Sequence, residues 1–101
     1  MKTTYRRIEA VSKAIQILEF LATQKELATG PEIGRAVDIA LGTVMCHLVT
    51  LEEAGFVQQV GGAYRLGMKL AIFWARVKSN LEGEIARKRQ DLESISITRS
   101  N

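Results

Sequence analysis

A chain of 101 residues with 47% apolar and 25% charged side chains has ordinary globular composition, which argues against disorder. That length supplies one modest core and leaves no room for a separate catalytic domain beside it. A formal charge of +3, from 14 basic and 11 acidic side chains, is compatible with a nucleic-acid partner without requiring one.

The basic start, Met1-Lys2-Thr3-Thr4-Tyr5-Arg6-Arg7, leads into an amphipathic pattern and not into a secretory apolar stretch. No apolar run reaches the roughly 18 residues that would cross a bilayer. The single cysteine, Cys46, excludes an intramolecular disulfide. A cytoplasmic protein without a membrane segment is expected, with residues 1–7 as a basic arm that could follow a DNA groove.

From residue 8 to 22, Ile8, Val11, Ala14, Ile15, Leu18, Leu21 and Ala22 recur at intervals of three and four, the stripe of an amphipathic helix. Thr29-Gly30-Pro31-Glu32 then reads as a helix start. Thr followed three residues on by Glu is a capping box, and proline in the first turn lacks an N–H that would go unused there. Ile33, Ala36 and Val37 supply the buried side of this short helix, which ends near Asp38. A third helix is expected from about residue 40 to 54, with Val44, Leu48 and Leu51 inward and Gly55 as a left-handed stop.

Residues 56–60 and 63–66 flank Gly61-Gly62, a hairpin signal. From Met68 to about residue 94 the chain is helical in character, with Trp74, Val77, Leu81 and Ile85 along one broad side. Gly83 weakens that helix by about 1 kcal/mol relative to alanine. The order is helix, short helix, tight turn, helix, hairpin, long helix. This predicts a mainly α fold, a helix-turn-helix with a small β-hairpin wing. The expected divisions are the arm at 1–7, the winged domain at 8–67, a linker and dimerisation helix at 68–96, and a tail at 97–101.

The same residues resemble the N-terminal DNA-binding domain of IclR-type transcriptional regulators. The matching stretches are residues 11–21, Thr29-Gly30-Pro31-Glu32-Ile33-Gly34-Arg35-Ala36, Thr43-Val44, Thr50-Leu51-Glu52-Glu53-Ala54-Gly55-Phe56-Val57 and Tyr64-Arg65-Leu66-Gly67. The resemblance covers about residues 8–80. It implies a linker helix that pairs two subunits, and binding to double-stranded DNA as a homodimer. Family members continue into an effector-sensing domain; this sequence stops at Asn101, so no small-molecule effector is expected in this chain. Its recognition helix has Ala40-Leu41-Gly42 where the family commonly carries a polar or basic run. Cys46 stands where arginine is common, and Asp38 where the turn usually has glycine.

Cys46 and His47 do not make a metal or catalytic pair, because adjacent helix residues point about 100° apart and no further Cys or His is present. His47, in phase with Val44 and Leu51, reads as a partly buried, hydrogen-bonded ring. No paired carboxylates, phosphate loop or nucleophile with its base is evident. No cofactor is implied, and a binding protein is expected, not an enzyme. Candidate DNA contacts are Thr29, Arg35, Leu41, Gly42, Thr43, Met45, Cys46, Arg65 and Lys69; candidate dimer contacts are Trp74, Val77, Leu81 and Ile85. Sequence-specific or semi-specific DNA-binding regulation is the leading reading. Between residues 29 and 54 there is one base, Arg35, against Glu32, Asp38, Glu52 and Glu53. That net −3 supports the competing reading, a winged-helix protein-interaction module that has lost DNA binding.

Overall fold

The computed structural model describes residues 4–100, with side chains through residue 96. Two units make up the chain, one through Leu70 and one from Ala71. In chain order the elements are α1 (Glu9–Thr23), β1 (Ala28–Thr29), α2 (Gly30–Val37), α3 (Leu41–Glu53), β2 (Val57–Val60), β3 (Ala63–Leu66) and α4 (Met68–Ser100). Lys2 of the expected arm lies outside the described residues. Arg6 and Arg7 are exposed, and Arg7 pairs with Glu9 at 2.7 Å. Helix α4 runs through Gly83 and continues to Ser100, into the stretch expected as a tail.

The capping box at the start of α2 is complete. The Thr29 amide donates to Glu32 Oε1 at 2.8 Å, and the Glu32 amide donates to Thr29 Oγ1 at 3.3 Å. At the other end Asp38 takes the left-handed conformation, φ 56° and ψ 52°, as its short polar side chain allows. The Gly34 carbonyl accepts from both Asp38 and Ile39, so the chain turns within three residues before α3 begins. The two helices are bent by 111° to one another, within the range of a helix-turn-helix. Helix α3 ends in a Schellman motif: Gly55, at φ 85°, donates to Glu52, and Phe56 donates to Leu51.

The wing has one strand more than expected. Gly61 and Gly62 both have positive φ, the requirement of a tight two-residue hairpin turn. Strand β3 pairs with β2 on one side and with β1 on the other, giving the antiparallel order β1-β3-β2. Ala28 opposite Tyr64 ties the wing to the residues that open α2.

The core of the first unit is Ile17 and Leu21 of α1, Ala28, Ile33, then Val44, Leu48 and Leu51 of α3, with Val57 and Tyr64 from the sheet. This corrects the expected stripe of α1. Ile17, absent from that stripe, is fully buried, whereas Val11 and Ile15 are 53% and 49% exposed and Ile8 is exposed too. No polar side chain is buried without a partner among the described residues. No single described helix is long and apolar enough to cross a membrane.

Candidate nucleic-acid interface

Packing against the core consumes one side of α3 and leaves the other side bare. Val44, Leu48 and Leu51 are buried; Leu41, Gly42, Met45, Cys46 and Val49 are exposed; Thr43 and His47 are half-buried. The expected hydrogen bond of the His47 ring is not found among the described residues. Thr50 turns its hydroxyl back onto the Cys46 carbonyl at 3.0 Å. Up to Thr50, the exposed face therefore carries no charge and no long amide side chain.

Gly30 shapes this face. A Cβ placed there would sit 2.8 Å from Met45 Sδ and 3.5 Å from Leu41 Cδ1. Both side chains thus lie against the first turn of α2, where glycine leaves room for them. Leu41 also lines a shallow depression with Pro31, Arg35 and Asp38, which brings Arg35 to the same surface. Thr29 is exposed at the start of that helix, but its hydroxyl serves the capping box. The Glu32 carboxyl is held below its ordinary value, chiefly by the Thr29 amide, then by the Thr29 side chain and the Arg35 charge.

The other cations sit on the wing and just beyond it. Arg65 is exposed on β3 opposite Gln58 of β2, and its Nε donates to Gln58 Oε1 at 2.9 Å. The bond tethers the guanidinium to the neighbouring strand. Sequence reading missed this tether, and only the cross-strand register could have suggested it. Lys69 is exposed in the first turn of α4, with its amide bonded to the Gly55 carbonyl at 3.2 Å. In the second unit Trp74, Val77, Leu81 and Ile85 are all exposed, at spacings of three, four and four that keep them on one side of a helix.

A three-residue turn between crossed helices, followed by a β-hairpin wing that β1 extends to three strands, defines a winged helix-turn-helix, the class whose second helix is presented for the major groove. The IclR helix-turn-helix domain matches residues 10–61, about half of the chain. The chain belongs to this family, whose fold is that of DNA-binding transcriptional regulators. Similar solved structures include an IclR transcriptional regulator from Alicyclobacillus acidocaldarius, at 28% identity and a TM-score of 0.68. That alignment covers 71% of this chain and 30% of the other. A protein assigned to the same regulators from Silicibacter sp. TM1040 aligns at 29% identity over 72% of this chain and 29% of its own, with a TM-score of 0.67. The IclR of Thermotoga maritima gives 26% identity, 70% and 29% coverage, and a TM-score of 0.64. The chain thus spans about 30% of the length of these neighbours. No curated protein sequence matches it.

Proposed function

We propose that this protein is a cytoplasmic regulator of transcription that binds double-stranded DNA as a homodimer. Helix α3 enters the major groove, and the wing lies on the backbone. The observation that carries this reading is the bare face of α3, held out by a capped α2 and a left-handed Asp38 turn in a chain of the IclR helix-turn-helix family. Arg35, Arg65 and Lys69 supply phosphate contacts, Thr43 a polar contact from α3, and Leu41, Gly42, Met45 and Cys46 approach the base edges. Trp74, Val77, Leu81 and Ile85 form the seam between two copies.

A second reading, a winged-helix module for a protein partner, is favoured by one feature. The exposed face of α3 is apolar in a segment with one base and four acids. Fluorescence anisotropy with labelled duplex at low salt separates the two. Binding that weakens steeply with salt is expected; no binding to any duplex would leave the protein-partner reading in its place. Cys46 gives an independent check, since it is exposed on the proposed contact face. Duplex DNA should slow its alkylation.

A further inference from the structure

We infer that α3 reads the 5-methyl groups of pyrimidines in the major groove through a preformed apolar platform of Leu41, Met45 and Val49. The inference rests on the DNA reading above and names what that site recognises. The three residues follow at intervals of four along α3 and are 49%, 36% and 53% exposed. Around them the exposed positions are Gly42 and Cys46, so this face offers neither an arginine fork for guanine nor an amide for adenine. What it offers is apolar surface, and the base-edge group that apolar surface can desolvate is the methyl on pyrimidine C5. Gly30 seats two of the three, because Met45 Sδ and Leu41 Cδ1 lie against the space its missing side chain leaves. Thymine and 5-methylcytosine carry the same methyl in the same groove, so both are ligands of this chemistry.

The test compares duplexes that differ in that group alone: alternating dA-dT against alternating dA-dU, and alternating dG-dC with and without 5-methyl on every cytosine. Affinities are read by anisotropy at one salt concentration. The methylated member of each pair should bind tighter by about fourfold for each methyl group buried. Leu41→Ala and Met45→Ala, checked for helix content and melting, should bring the ratio toward one. Met45→Leu, which keeps the apolar surface, should retain it. Arg65→Ala should weaken all four duplexes and leave the ratio unchanged. A difference in the dA-dT and dA-dU pair with none in the dG-dC pair would trace the preference to some other property of the A·T duplex and would overturn the methyl platform. Equal affinity within both pairs would overturn it while the DNA reading stood. No binding to any of the four duplexes would overturn both.

Discussion

A side chain on Gly67 would collide with the carbonyl oxygen of Gly55. That carbonyl also accepts from the Lys69 amide, and the Gly67 amide donates to the Phe56 carbonyl at 2.8 Å. Three backbone segments, the end of α3, the base of the wing and the start of α4, therefore meet where only hydrogen fits. This gives the Tyr64-Arg65-Leu66-Gly67 stretch its physical meaning. Gly67→Ala should destabilise the protein by about 1–3 kcal/mol, as for overpacking against an atom that cannot move aside. Gly42→Ala is the counterpart: nothing lies within 4 Å of a Cβ built there, and at the second position of α3 the helix should gain about 0.5 kcal/mol, the low end for a helical glycine. Urea unfolding of the two variants should shift midpoints in opposite directions.

Local chemistry decided the features that were legible beforehand. The capping box, the Asp38 turn, the Gly55 stop and the Gly61-Gly62 hairpin each depend on one to four adjacent residues, so their sequence suffices. The face of α1 does not. That helix carries two apolar rows, Ile8, Val11 and Ile15 against Ala14, Ile17, Leu18 and Leu21, and helical spacing fits both. Packing buries Ile17 and Leu21 of the second row and sets Ala14 and Leu18 against them. Strand β1 was illegible for a different reason: two residues are too few for alternation, and the strand exists through its pairing with β3. At the candidate site the residues could be picked from sequence, but not the place Gly30 makes for Met45 or the hold of Gln58 on Arg65.

The two rows of α1 make unequal predictions. Ile17→Ala empties a fully buried position and should cost about 2–5 kcal/mol. Val11→Ala and Ile15→Ala trim half-exposed side chains and should cost far less, about 0.5 kcal/mol for a surface change. Thermal melts of the three variants should rank Ile17 well apart from the other two. Equal losses would put Val11 and Ile15 in the core, where the sequence stripe had placed them beside Ala14, Leu18 and Leu21.

The capping box makes stability depend on acid pH. Its glutamate gives up a proton at lower pH in the folded chain than in the unfolded one. Between those values the unfolded chain binds more protons, so lowering the pH favours unfolding. The contribution is whole above the ordinary glutamate range and is lost as the pH falls through the depressed folded value. Glu32→Gln keeps the reach to the Thr29 amide and removes the titration, so the gap between the two proteins should narrow toward acid pH. Thr29→Ala should cost about 1 kcal/mol at neutral pH. Melting temperatures from neutral to acid pH check both; a gap that widens in acid would contradict the sign.

Dimerisation through α4 predicts a concentration-dependent mass. Trp74 is 63% exposed, and Leu81 lies seven residues further along the same side of the helix. Trp74→Ala or Leu81→Ala should each weaken association by about 2–4 kcal/mol if central to the seam. Sedimentation equilibrium across the micromolar range reads this directly. A monomer throughout, for the unaltered chain, would rule the seam out.

Arg65 and Gln58 separate charge from orientation in DNA binding. If the guanidinium meets a phosphate, removing it releases one counterion fewer on binding. Arg65→Ala should then flatten the slope of log affinity against log salt by about 0.9 on B-form DNA and weaken binding to every sequence alike. Gln58→Ala leaves the charge but removes the 2.9 Å bond that tethers it. Its affinity should fall by less, with the slope nearly unchanged, because the untethered guanidinium still reaches the backbone but must give up on binding the orientational freedom it gained. Lys69→Ala should behave like Arg65→Ala if the first turn of α4 also meets the duplex. A slope that is the same for Arg65→Ala and for the unaltered protein would place the wing away from the phosphates.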